Sequence, residues 1–356
     1  MALLWCDGFD HYGVVGNLTE GPYAERGPMV GLSTLNPRTG THSIRIADGT
    51  TTATMLRRVL GGTKTTVGIA AAFYYEALPT LNQVQKIFDF RDAANAVQVT
   101  IGLQTTGIID VYRGTLTGTL LGDSGTPVVT AETQQHIEAL VFFSQTIGTV
   151  EVRVNGVTVV SLSGLDTVSS GLVECSQVSI GGDISASGVG AQIHYIDDLF
   201  CYDDTGSFNN TFIGDRRVLT LFPNANTIQA DWTPVGAATG YECIDEANPD
   251  GDTTYITASV PGSPAPISEF GIENLPAGIS AISAVVVVEF ARKTEAGDAN
   301  TQWSIISGAS ETAGADKPMT EIYTYRQDVF ETDPASAAPF TPSEVDALQI
   351  KVERTA

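Results

Sequence analysis

The chain has 356 residues, with 18 Lys plus Arg against 41 Asp plus Glu and a formal net charge of −23. A surface of that sign repels phosphate and argues against nucleic-acid binding; solubility at high copy number is the simplest use for it, cation binding or a basic partner the sharper one. The 36 glycines and the low charged fraction, 17%, describe a turn-rich globular protein rather than a helical bundle or a disordered tail. At roughly 100–200 residues per domain, two domains are expected, each long enough to bury a core.

Taken in chain order, the first ten residues lack the basic start of a signal peptide. Short runs rich in apolar and β-branched residues follow at 41–46, 66–75, 85–90, 96–103, 108–112 and 137–143, most of them bounded by Gly, Asn, Asp or Pro. The period of two is clearest at Val150, Val152 and Val154, which alternate with Glu151, Arg153 and Asn155, so the valines share one face of a strand. Asn155-Gly156 then separates two β-branched runs. Both residues tolerate positive φ, so 149–162 is expected to form a hairpin with a two-residue turn. Further strands are expected at 176–180 and 193–202.

The stretch 203–215, DDTGSFNNTFIGD, is rich in turn formers and marks a domain boundary at 207/208. Beyond it, 216–221 reads as the first strand of a new set. The run 284–290 reads as a strand buried on both faces; it is far too short for the roughly 20 residues of a membrane span. Strands are also expected at 303–307 and 321–325. Thr341 followed by Pro342 and Glu344 is a helix-start signature, predicting one short helix at 343–348 before a last strand at 349–353. No repeat of 20–50 residues stands out, which disfavours solenoids and propellers.

Candidate chemistry is sparse. Cys6, Cys175, Cys201 and Cys243 show no C-x-x-C pairing, so reduced thiols are expected, with Cys6 and Cys201 as the pair to watch. No Gly-x-Ser-x-Gly elbow exists. His11, His42, His136 and His194 are scattered; His194, near Tyr195, Asp197 and Asp198, is the one for which a metal or acid/base role can be imagined, and a structural role is preferred. The acidic segment 245–252 offers Asp245, Asp250 and Asp252 as calcium ligands. It lacks EF-hand spacing, and Pro249-Asp250-Gly251 is good turn chemistry, which is the favoured reading. Trp5, Trp232, Trp303 and the eleven tyrosines are candidates for a sugar-stacking platform or for core.

Several segments carry a family resemblance. The stretch 148–157, GTVEVRVNGV, is similar to the hairpin of laminin-G-like, concanavalin A-like domains. Ile180-Gly181-Gly182 with Tyr195-Ile196-Asp197-Asp198-Leu199 resembles their closing segment. Asp7-Gly8-Phe9-Asp10 and 40–46, GTHSIRI, are similar to their opening strands. The resemblance covers roughly residues 1–203 and implies an all-β fold with an N-terminal jelly-roll sandwich over residues 1–207. Residues 208–356 would form a second, sandwich-like β domain with one short helix. In sandwich glucanases of this kind a Glu-x-Asp-x-x-Glu strand supplies the catalytic carboxylates. No such strand is present here, and Glu138 and Glu151 each stand alone. The second half, at Gly214-Asp215-Arg216-Arg217-Val218, Trp232-Thr233-Pro234, 252–255, 291–293 and 330–334, resembles bacteriophage virion proteins.

Together these features imply a non-enzymatic structural component of a phage particle, of tail, fibre or head-decoration type. It would be assembled in the host cytoplasm and act through other virion proteins and a homo-oligomer, a trimer being the guess. No catalytic or cofactor-binding residue is expected, and no metal ligand beyond the calcium candidates. Neither nucleic acid nor a membrane span enters. The alternatives are a receptor-binding module that holds a host surface glycan, and a polysaccharide depolymerase.

Overall fold

A computed structural model describes residues 1–19, 21–48, 55–80, 83–182, 192–259 and 265–356. The fold is all-β, with antiparallel pairing throughout and one short α-helix. The chain divides into two compact units: residues 2–10 with 22–219, and Met1 with 11–21 and 220–356.

The first unit is a two-sheet jelly-roll sandwich. Its eight-stranded sheet runs in the order Val157–Leu165, Gly148–Val154, Gln134–Phe142, Thr66–Tyr75, Gln192–Tyr202, Ser43–Asp48 and Val30–Ser33, with Leu3–Asp7 also paired to Gln192–Tyr202. The seven-stranded sheet runs Thr119–Asp123, Ile109–Arg113, Val97–Gln104, Val84–Arg91, Cys175–Ile180, Leu56–Lys64 and Glu25–Arg26. Rings meeting edge-on or tilted join the sheets: Phe73 lies 5.5 Å from Phe88, and Phe90 6.0 Å from Phe143. Such pairs add to the area they bury.

Thr66–Tyr75 shows how sequence selects a central strand. Phe73 points inward, while Gly68, Ala70 and Ala72 occupy the other face. That face must be small. A Cβ on Gly68 would fall 2.1 Å from the Tyr202 ring. The Asn155-Gly156 hairpin is present, with φ of 50° and 80° at its two turn residues, and Val150 and Val152 are fully buried.

The expected strand at 216–221 does not form; the first strand past the sandwich is Pro223–Ala230. The reason lies in its backbone partners. Val218 N donates to Asp198 Oδ1 (2.8 Å), and Ile213 N and Gly214 N donate to the buried carboxylate of Glu138 (2.8 and 3.0 Å). Side chains of the sandwich therefore satisfy groups that a ladder would otherwise use. They also hold 208–219 in the first unit, past the boundary expected at 207/208.

The second unit has a six-stranded sheet in the order Pro223–Ala230, Ile267–Ile272, Gln349–Arg354, Asn300–Ser307 and Ser310–Ala313, with Lys317–Pro318 on Asn300–Ser307. Two further pairs, Thr233–Val235 with Tyr255–Thr257 and Val285–Ala291 with Thr324–Phe330, complete it. Trp232, Phe270, Trp303, Ile305, Phe330 and Val352 centre its core. Val285–Ala291 is not buried on both faces as its composition suggests: among the described residues it pairs with one strand only, and Val288 is 36% exposed. The expected helix spans Pro342–Asp346, and Thr341 and Glu344 form a reciprocal capping box.

Candidate functional site

The outer face of the seven-stranded sheet carries the densest chemistry. Phe88 and Phe90 face the other sheet, so Asp89 between them points outward. The register then lines up Glu25, Arg57, Ser179, Asp89, Thr100 and Tyr112 across the sheet on that outer face. At its centre, Asp89 accepts from Lys86 Nζ (3.0 Å), Arg91 Nη2 (2.7 Å) and the Ser179 hydroxyl. Burial pushes the Asp89 carboxyl up, but Lys86, Arg91 and Ser179 outweigh it and hold it down to about 2. This cluster is closed on itself. Removing one partner would strand a buried charge.

Apart from that row, at the strand ends, lies a shallow cleft of about 710 Å³; its Arg113 pairs with Val99 and so leaves the strand on the opposite face from Tyr112. Two loops form its walls. Gly114 is tied down by the Thr100 hydroxyl, which donates to its carbonyl (2.7 Å), and Ser169 N donates to Gln98 Oε1 (2.6 Å). An Arg113–Asp166 ion pair stands in the cleft, and Thr115, Thr117, Thr119 and Ser169 add hydroxyls; Val168 is its apolar side chain. Arg113 and Asp166 are each about one-third exposed (34% and 37%), so both present polar atoms to solvent. Hydroxyls and a charged pair of this kind donate and accept in one small space.

On the outer face, in the same row as Thr100, stands Tyr112. Its hydroxyl donates to Asp110 Oδ2 (2.8 Å), and Gln104 Nε2 donates to Asp110 Oδ1 (2.7 Å). Asp110 is 1% exposed, and desolvation raises its carboxyl above the ordinary range. Tyr112 and Gln104 are half-buried. Sequence reading missed this group, although the Asp-x-Tyr alternation at 110–112 is visible and places both on one strand face.

The residues singled out from sequence are not brought together. His194 lies inside the sandwich, against Tyr75 (5.4 Å) and within 2.9 Å of Gln85 Nε2, and burial pushes it down to about 3. Asp197 accepts from Arg38 N (2.7 Å) and Thr39 N (2.9 Å), and Asp198 accepts from Val218 N, so this pair anchors loops. Burial, then the neighbouring Asp198 charge, pushes Asp197 up to about 8. His136 is buried on the other face of the eight-stranded sheet from Ile137; among the described residues its ring nitrogens meet no hydrogen-bond partner. Glu151 accepts from Arg153 and Thr158 at the surface.

Asp250 accepts from the Thr254 backbone and hydroxyl, as a turn residue does. Asp252 is bidentate to Arg292 and accepts from Tyr323 (2.7 Å). Asp245, Asp250 and Asp252 are not gathered into a site: among the described residues no group of three or more His, Cys, Asp or Glu is placed to hold a metal ion. Trp5, Trp232 and Trp303 are buried, so they are core rather than platform. Trp5 pairs in register with Cys201 and Cys6 with Phe200, so Cys6 and Cys201 leave opposite faces of their strands.

No family model matches the chain, and no curated protein matches it in sequence. Solved structures similar to it include the cellulose-induced protein Cip1, at 18% identity and a TM-score of 0.42 over 54% of this chain and 89% of that one. Alginate lyase vAL-1 from Chlorella virus is 13% identical, with a TM-score of 0.38 over 55% and 94%. A conserved carbohydrate esterase from the Shiga toxin-encoding bacteriophage phi24B is 13% identical, with a TM-score of 0.35 over 50% and 88%. At these values the likeness carries no substrate and no catalytic residue to this chain. It does correct one expectation. Proteins described as polysaccharide lyases are among the similar structures, so the chain is not set aside as a non-enzyme. The missing Glu-x-Asp-x-x-Glu strand bears on a single carboxylate-pair chemistry and on no other.

Proposed function

We propose that this chain recognises carbohydrate through the cleft on its first unit, as a component of a bacteriophage particle that contacts a host surface polysaccharide. The observation that carries the carbohydrate reading is the cleft itself: Arg113 and Asp166 as a charged pair, with Thr115, Thr117, Thr119 and Ser169 around them. Sugars present dense donors and acceptors on a rigid ring, and a shallow cleft lined with both kinds of group is complementary to them. The net charge of −23 speaks against nucleic acid as the alternative polar ligand. The phage context is supported by the resemblance of the second half to virion proteins, and self-association would multiply weak sugar contacts.

The test is retention on immobilised host polysaccharide, with Arg113→Ala and a Thr115→Val, Thr117→Val double variant beside the native chain. Retention by the native protein and at least tenfold weaker binding by either variant is the expected result. A native chain that no polysaccharide retains would refute the reading. Sizing the polymer before and after incubation shows in the same experiment whether binding is accompanied by cleavage.

A further inference from the structure

Asp110 is a carboxylate inside the sheet face whose described hydrogen bonds go to the side chains of two surface residues, Gln104 (2.7 Å) and Tyr112 (2.8 Å). Burying a carboxylate is unfavourable unless its oxygens are satisfied. Here that unfavourable term has a specific result. It fixes a surface amide and a surface phenol in one orientation, without cross-linking two elements of the fold, since Gln104 and Ile109–Arg113 belong to neighbouring strands already paired. Preorganised amide and phenol groups on rigid strands are what a binding site requires. Next to them in register with Tyr112 stands Leu120, 50% exposed, which extends the ring with apolar surface. Asp123 pairs with Asp110 across the same two strands and adds a second negative charge.

We propose that Tyr112, Gln104 and Leu120, oriented by Asp110, form a subsite for an uncharged pyranose ring on the outer sheet face, with Tyr112 and Leu120 carried by the same two strands that give Arg113 and Thr119 to the cleft. The proposal rests on the carbohydrate reading of that cleft and adds the substrate class. The Tyr112 ring and Leu120 meet the apolar face of the sugar, and the Gln104 amide and Tyr112 hydroxyl meet its equatorial hydroxyls. Asp110 is a positioning residue: nearly buried, it acts through the two side chains it holds. The pair Asp110 and Asp123 repels a sugar carboxylate or sulfate, and the charge of the whole chain adds to that repulsion.

The experiment is calorimetric titration of the full chain with a neutral hexose hexamer, such as a glucan or mannan fragment, and with a uronate hexamer at low salt. The neutral oligomer is expected to bind at least tenfold more tightly than the uronate. Tyr112→Ala and Gln104→Ala, both at half-buried surface positions, should each weaken neutral binding at least tenfold with the melting temperature held. Asp110→Asn keeps one oxygen for Tyr112, so it should lose less affinity than Asp110→Ala; loss of fold alone, read by melting, would not separate those two. Tighter binding of the uronate, dependent on Arg113 and indifferent to Tyr112→Ala, would overturn the subsite while leaving the carbohydrate reading standing. Failure of every oligomer to bind would overturn both.

Discussion

Asp89 is a buried carboxylate that its neighbours keep ionised. Burial alone would raise its carboxyl, yet Lys86, Arg91 and Ser179 hold it to about 2. A folded value below the ordinary 3.8 means that the ionised form stabilises the native state. That contribution is fully present above the ordinary value and is lost as pH falls through the folded one. Urea melts at pH 5 and at pH 2.5 should therefore show an acid loss of stability that is smaller in Asp89→Asn, a variant already weakened at pH 5 by the loss of its ion pairs to Lys86 and Arg91. An equal acid loss in both proteins would show that other groups govern the acid limb. Gly156 makes a second case. With φ at +80° and nothing near its missing Cβ, its constraint is conformational, not steric crowding by neighbours. Gly156→Val should cost about 1–3 kcal/mol in a denaturant melt, whereas Gly156→Asn should cost less. The Asn-Gly pair and its flanking valines carry that turn in plain view. Nothing local announces that Lys86, Arg91 and Ser179 converge on Asp89, because Ser179 lies 90 residues away in the chain.

At the scale of elements, the helix Pro342–Asp346 tests how much one cap contributes. Thr341 accepts from Glu344 N, and the Glu344 carboxylate accepts from Thr341 N (2.7 Å). Thr341→Ala should destabilise by about 0.5–2 kcal/mol, read as a fall in melting temperature. A change within error would mean that Val345 and Leu348, buried in the second core, hold the turn without its cap. The segment 213–221 makes the opposite point. Residues 216–221 read as a strand, but Asp198 takes the Val218 amide, Glu138 takes those of Ile213 and Gly214 just before it, and no ladder forms. Propensity describes what a segment accepts; partners 20, 75 and 76 residues away decide what it receives.

At the scale of the molecule, two cores exist. One is the sandwich interior around Phe73, Phe88, Phe90 and Phe143, the other the cluster around Trp232, Phe270 and Trp303. Differential scanning calorimetry should resolve two transitions, and Trp303→Ala should lower one of them while leaving the other in place. A single transition that shifts as a whole would show that the cores melt together. The four thiols are expected to react as free cysteines after denaturation without reductant, read by mass spectrometry of the alkylated chain; a linked Cys6–Cys201 peptide would contradict both the expectation and the opposite facing of those side chains.

What the sequence determined by itself is the local and the periodic: an all-β chain, the Asn155-Gly156 turn, the helix start at Thr341, and a net charge of −23. Each follows from backbone sterics or composition, which act within a few residues or over the whole chain. Tertiary structure alone decided the rest. It showed that Val285–Ala291 pairs with Thr324–Phe330, that His194 is a sandwich interior residue, and that the acidic loop gives Asp252 to Arg292 and Tyr323. It also brought Gln98 of one strand to the loop at Ser169, which builds a wall of the cleft. Register and loop closure act between residues far apart in the chain, and a single sequence carries no local mark of which distant strand a residue will face.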